Sequence, residues 1–327
     1  MNPIRSMHRL LLTLLGLCAF ALPQAQAQSN YPEKPLTFVV PFPAGGGVDL
    51  VGRILAERIT TQSGAHIVVD NRAGAGGTIG VASVARSQPD GYTVSLGSPG
   101  NISIAPSTYP ELPYDPAKNL QSVAMAVQVP ILVLSRPDAP FKNISELIEH
   151  AKKNPATLSF GSGGVGTSLH LAGALFAEMA DIDVLHVPYK GSTPALVDLM
   201  GGRIDYMFID TSAMSSVTSG RANLLAVTNA ERSPLLPETP TISESGLPGY
   251  EASNWYGFFL PADTDKAKVQ WLNEQITQAL QDSSVQEKLK AQMLLAAPAQ
   301  TPDEFSKFVV DDIAKWKQVV SKLDLSK

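Results

Sequence analysis

The chain has 327 residues, with 25 basic and 30 acidic side chains, a formal net charge of −5 and 44% hydrophobic residues. That length fits two lobes of ordinary size and supports a core without disulfides, while the acidic balance excludes nucleic-acid binding through a general basic surface. The composition holds no low-complexity tract and its one cysteine is Cys18, so any anion the protein binds must be drawn by local geometry.

At the N-terminus, Arg5 and Arg9 precede the apolar stretch 10–22, well short of the ~20 residues that span a bilayer. Ala25-Gln26-Ala27 supplies the small side chains that a signal peptidase accepts. Residues 1–27 therefore read as a secretory signal cut after Ala27, and the mature protein as periplasmic. Leu17 is a poor neighbour for lipid attachment at Cys18.

Beyond the signal, strand and helix patterns alternate. Residues 36–40 are a short apolar run, and Leu50, Val51, Ile54, Leu55 and Ile59 recur at helical spacing across 48–60. Residues 66–69 make the next strand, the loop 71–77 opens a helix that runs to Arg86, and Pro89-Asp90-Gly91 turns the chain into a strand at 92–96. A second alternating block begins near Val127: strand 129–134, helix 145–153 with Asn143 and Glu146 as a capping box, and strand 157–160. Helix 168–179, strand 183–187, helix 193–199 and strand 204–209 complete it. Residues 224–228 make a strand that leads back to the first lobe, followed by helices at 266–280, 284–293 and from Thr301-Pro302-Asp303-Glu304 onward. The fold class is α/β with two lobes, each a mainly parallel sheet flanked by helices. Residues 28–126 and 224–327 form the first lobe, and residues 127–223 are inserted as the second.

Two glycine-rich loops carry the chemistry, Pro41-Phe42-Pro43-Ala44-Gly45-Gly46-Gly47-Val48-Asp49 and Phe160-Gly161-Ser162-Gly163-Gly164-Val165-Gly166-Thr167-Ser168. Each follows a strand and opens a helix, a junction that gathers unpaired backbone N–H groups and the positive end of a helix dipole. Gly46 and Gly47 let the backbone come within reach of a ligand oxygen. Ser162, Thr167 and Ser168 offer hydroxyls, with Gly164 and Gly166 freeing amides; Thr167 serves equally as the N-cap of its own helix. Phe42 either covers a ligand or fills core. Asp49 favours the helix dipole by itself, and facing a cleft it selects an amino or hydroxyl group. His170, one turn into its helix, donates to a carboxylate or packs. Ser98, Asn101, Tyr189, Lys190 and Asp210 sit at carboxyl ends of strands, where α/β sheets place ligands. Lys190 is equally a solvated surface lysine, and Asp210 equally a helix cap.

These residues resemble a known family. Tyr31-Pro32-Glu33-Lys34-Pro35, the loop ending at Asp49, Asp70-Asn71-Arg72-Ala73-Gly74-Ala75-Gly76-Gly77, Pro89-Asp90-Gly91-Tyr92-Thr93 and Val187-Pro188-Tyr189-Lys190-Gly191 occur here in that order. The same series is found in Bug-type extracytoplasmic solute receptors of tripartite tricarboxylate transporters, across essentially the whole mature chain. Ala73 departs from the proline found in the family, and Gly45-Gly46-Gly47 is richer in glycine. The resemblance implies a type II periplasmic binding protein that closes on a small mono- or dicarboxylate between its lobes. The contacts would come from the first loop, Ala44 included, and its counterpart on the other lobe. It also implies delivery to membrane permease subunits, with no cofactor, no catalysis and a monomeric receptor.

Other classes fit less well. Gly161-Ser162-Gly163-Gly164-Val165-Gly166 matches a dinucleotide fingerprint with Asp181 or Asp183 as the later acid, but export and the first loop argue against it. A hydrolase lacks a Gly-x-Ser-x-Gly elbow, and His66, His150, His170 and His186 lack metal-ligand spacing. A sensor that reports to a membrane kinase uses the same closing cleft and is not separable by sequence.

Overall fold

A computed structural model describes residues 31–322, so the signal sequence, its cut after Ala27 and Cys18 lie outside the described residues. The first strand, β1 (Leu36–Val40), is almost wholly buried and feeds helix α1 (Gly47–Ser63), whose apolar side chains Val48, Val51, Ile54, Leu55 and Ile59 pack on the sheet. Strand β2 (Ile67–Asn71), helix α2 (Thr78–Ala85) and strand β3 (Thr93–Gly97) repeat the pattern, with β2 and β3 parallel to β1 on either side.

Two long strands then change the architecture. Strand β4 (Leu120–Val129) stops at Pro130 and β5 (Ile131–Ser135) starts one residue later, in a different sheet. The single strand expected at 129–134 is thus two, divided where proline removes a ladder donor. The second sheet contains β5 with β6 (Ser159–Ser162), β7 (Leu185–Pro188), β8 (Tyr206–Asp210) and β9 (Asn223–Val227), in the order β7-β6-β8-β5-β9. Helices α3 (Ile144–Lys153), α4 (Ser168–Ala180) and α5 (Ser192–Met200) flank it.

The chain returns through β10 (Asn254–Pro261), every residue of which is buried, into helices α6 (Lys266–Gln281) and α7 (Ser283–Lys290). A two-residue strand β11 (Leu295–Ala296) and the terminal helix α8 (Pro302–Lys322) follow. The first sheet has the order β11-β4-β10-β3-β1-β2. β10 is absent from the sequence expectation because both its faces are covered, which erases the apolar–polar alternation that marks an exposed strand. Its period of two is still visible inside: Tyr256, Phe258 and Leu260 join one core of the sheet, and Trp255 and Phe259 the other. Gly257 has no side chain because a Cβ there would lie 2.4 Å from the Phe305 ring.

Both sheets are mixed, which corrects the expectation of mainly parallel ones. β10 runs antiparallel to β3 and β4, and β5 antiparallel to β8 and β9, because these strands enter from the neighbouring lobe instead of through a strand–helix–strand crossover. The lobe limits change too. The strand expected at 224–228 to lead back to the first lobe pairs with β5, so it belongs to the second sheet. The helical tail does not stay with the first lobe either. Phe305 and Val309 of α8 enter the core behind β10, whereas Trp316 is buried in the second sheet's core with Phe176 and Tyr250. A helix of 21 residues is about 30 Å long, enough to cross from one core to the other. No helix among the described residues is long and apolar enough to cross a membrane.

Candidate functional site

The carboxyl ends of β1 and β8 approach each other from the two sheets. Between them lies a cavity of about 340 Å³, lined by Gly45, Gly46, Gly47, Asp49, Leu50 and Arg53 on the first side and by Asp210, Thr211 and Ser212 on the second. Tyr256 of β10, Val129 at the end of β4, Gln292 and Leu294 complete its lining.

The first loop is braced by charge. Asp49 is only 3% exposed and its carboxylate accepts from the Gly45 N–H, from Arg53 Nε and from Asn71 Nδ2, each at 2.9 Å. Asn71 also donates to the Phe42 carbonyl and accepts from Arg53, so the end of β2 is tied to the loop that follows β1. Burial acts to raise the Asp49 pKa, but the bonds from Arg53, Gly45 and Asn71 outweigh it and hold the carboxyl below its usual range. With these partners, Asp49 holds the loop. Behind it the α1 N-terminus leaves Gly46, Gly47 and Val48 with N–H groups that have no protein partner among the described residues. Gly46 is extended (φ −83°, ψ 170°) and a Cβ there would touch only the Pro43 carbonyl at 3.7 Å. At Gly47 a Cβ would lie 2.9 Å from the Tyr256 hydroxyl.

Sequence reasoning does not single out that hydroxyl. It enters the cavity beside the free amides with no protein partner among the described residues, and burial pushes its pKa above the ordinary tyrosine value. Arg53 is likewise not singled out by sequence reasoning. Its signal was present, since it stands one helical turn after Asp49 and brings a guanidinium to the rim.

The remaining candidates divide. Asp210 lines the cavity; one of its oxygens caps the turn after β8 by accepting from the Ser212 N–H, leaving the other without a hydrogen-bond partner among the described residues. Phe42 is half-buried against the first core, its ring under Gly77, and Ala44 is exposed. Ser98 and Asn101 form a buried turn in which the Ser98 N–H donates to Asn101 Oδ1, and Asn101 Nδ2, against Gly77, has no partner among the described residues.

The second loop does not line this cavity. It lies instead against the helical segment after β3, Gly166 beside Thr108 and the Ser168 N–H beside Gly100. Thr167 caps α4, its hydroxyl accepting from the His170 N–H and donating to the Gly164 carbonyl. Gly166 donates to His170 Nδ1, and Ser162 Oγ lies 2.8 Å from His186 Nε2. Burial, joined for His170 by the neighbouring His186, lowers the pKa of both histidines to about 4. The Tyr189 hydroxyl donates to Asp198 inside its own lobe, and burial with that bond pushes its pKa up to about 12. Lys190 is exposed. The dinucleotide alternative loses its geometry, because the Gly166 amide is taken by His170 and Asp181 is the left-handed cap of α4. Among the described residues no three His, Cys, Asp or Glu side chains form a metal-holding group.

A family model described as the tripartite tricarboxylate transporter family receptor matches residues 51–325. Protein BugT of Bordetella pertussis is 36% identical over 293 residues, covering 89% of this chain and 90% of its own. Two solved structures from Rhodopseudomonas palustris align along almost their whole length. Rpa4515 with adipate has 33% identity and a TM-score of 0.83, covering 89% of this chain and 98% of that one. MatC with bound malate has 32% identity and a TM-score of 0.80, covering 89% and 100%. The chain therefore belongs to the tripartite tricarboxylate transporter receptor family, as a solute receptor of the Bug type.

Proposed function

We propose that this protein captures a small organic carboxylate in the cavity between the end of β1 and the end of β8, and hands it to the membrane permease of a tripartite transporter. The observation that carries this reading is the set of free N–H groups at Gly46, Gly47 and Val48, opening onto a cavity of about 340 Å³ whose far wall comes from the other sheet. The adipate and malate of its structural relatives support a carboxylate as the guest. One helix terminus contributes ~0.3–1 kcal/mol toward an anion, or ~2 when partly buried, whereas micromolar affinity needs ~8 kcal/mol. Direct bonds from the amides, the Tyr256 hydroxyl and Arg53 must supply the rest. The free oxygen of Asp210 favours a guest that also carries a hydroxyl or amino group.

In this reading the two sheets are lobes that close about Pro130 and the segment 228–253, and the guest is the clasp, because it contacts both walls only when they are together. The chain acts as a receptor without catalysis, exported by residues 1–27 with cleavage after Ala27. Calorimetry against adipate, malate and monocarboxylates tests it, with small-angle scattering of the same samples. Micromolar binding with a smaller radius of gyration at saturation is the expected result; no heat with any of these acids overturns it.

A further inference from the structure

The second lobe holds a cavity of about 530 Å³ that shares no lining residue with the one assigned to the carboxylate. Its apolar lining includes Phe160 of β6, Ala174 and Ala177 of α4, and Val184 before β7. Its charged lining is exposed and so marks the opening: Glu178 and Asp181 at the end of α4, Asp183 in the turn that follows, and Lys152 of α3. No salt bridge or side-chain hydrogen bond among the described residues engages the three carboxylates. Three negative charges therefore face one positive charge there, the opposite of the amides and guanidinium of the first cavity.

One polar group lies deep in this lining. His170 is 3% exposed, and its ring is clamped face to face with that of His186, centroids 3.9 Å apart. The Gly166 N–H donates to His170 Nδ1, so that nitrogen keeps a lone pair and the proton of the neutral imidazole sits on Nε2. Burial, joined by the neighbouring His186, lowers the His170 pKa to about 4, and the ring adds no positive charge at ordinary pH. With Nδ1 turned to the loop, the opposite edge of the ring lines the cavity, and no atom among the described residues accepts from Nε2. A buried donor left this way costs free energy until an acceptor reaches it.

We propose that this cavity is a second ligand site, for a small aliphatic amine that carries a hydroxyl or carbonyl oxygen. The oxygen accepts from His170 Nε2, the carbon chain lies on Phe160 and Ala177, and the ammonium meets Glu178, Asp181 and Asp183 at the opening. The site is independent of carboxylate capture. An organic acid is disfavoured here by sign, because it would bring its own negative charge against three others.

The test titrates aminopentanol, with its amine and hydroxyl at opposite ends, into the isotopically labelled protein at neutral pH and follows the spectrum by NMR. Pentanol lacks the charge and pentylamine lacks the acceptor, so each removes one end of the proposed contact. Ala177→Leu fills the cavity, and Glu178→Gln with Asp183→Asn removes charge at exposed positions; melting curves check that these variants are folded. Aminopentanol is expected to give saturable shifts at His170 Nε2 and at the Ala174 and Ala177 amides, with the Gly46 and Gly47 amides unmoved. Affinity is expected to be at least tenfold weaker for pentanol and for pentylamine, and weaker in both variants. No saturable shift at His170 with millimolar aminopentanol, an affinity indifferent to the loss of either end, or wild-type affinity in Ala177→Leu overturns the proposal. Adipate added to the same samples reports on Gly46 and Gly47 separately, so the failure of one site is distinguished from the failure of the other.

Discussion

The two glycine loops look alike along the chain, yet the structure holds them by opposite means. The first is fixed by an ionic network, with a buried aspartate receiving a guanidinium, an asparagine amide and a loop N–H, and it leaves the helix-terminal amides free. The second is fixed by neutral groups: a stacked histidine pair, a capping threonine and a serine hydroxyl. Three amides of the second loop, those of Gly164, Gly166 and Thr167, are already bonded within the lobe. A glycine-rich turn at a helix start is therefore an offer of donors, and the neighbouring side chains decide how many remain for a ligand.

The largest expected effect comes from closing the first loop's face. Gly46→Val fits the backbone and meets no close atom, so the fold is expected to survive with a melting temperature near wild type. Carboxylate binding by calorimetry is expected to fall more than a hundredfold, and retained affinity would remove the first loop from the site. Asp49→Ala breaks the brace instead of the face. It removes the acceptor that Arg53, Asn71 and Gly45 share, and a lowered denaturant midpoint should record the loss.

Acid separates the two loops. The Asp49 pKa is depressed, so its contribution is present above the ordinary carboxylate pKa and is lost only as pH falls through the lower folded value. The histidines are bases whose folded pKa values are lowered from 6.5 to about 4. The unfolded chain then takes up protons first, and stability declines as pH falls from about 6.5 toward 4. Melting curves of the ligand-free protein are expected to show that decline, and His170→Gln with His186→Phe to flatten it.

Smaller effects sharpen the assignment. Tyr256→Phe removes a hydroxyl with no protein partner among the described residues and should leave the melting temperature almost unchanged. About 1–1.5 kcal/mol of binding, roughly tenfold in affinity, should go with it. Thr167→Ala removes the cap of α4 and is expected to cost ~1 kcal/mol in chemical denaturation. Tyr189→Phe, whose lost bond is to Asp198 within the second lobe, should leave carboxylate affinity within twofold.

Much of this was legible because the signals are local. Alternating short apolar runs and amphipathic segments identified most strands and helices of both sheets, and Asn143 and Thr301 mark the helix starts that the structure caps with their side chains. The first loop announced its free amides through three glycines before a helix. What stayed hidden depends on partners remote in sequence. Tyr256 reaches the cavity only because β10, more than two hundred residues after the loop, is laid beside β3. His186 acquires its role only because β7 is laid beside β6, bringing its ring over that of His170.

The sequence by itself determined the α/β class, the two anion-favouring helix starts and the family motifs, since hydrophobic period and glycine conformation act within one or two turns of chain. Tertiary structure alone decided the mixed strand directions, the crossing of α8 from one core to the other, and the choice of the first loop as a wall of the shared cavity. Those outcomes turn on which surfaces are buried against each other, and burial is a property of packed elements that no short window of residues contains.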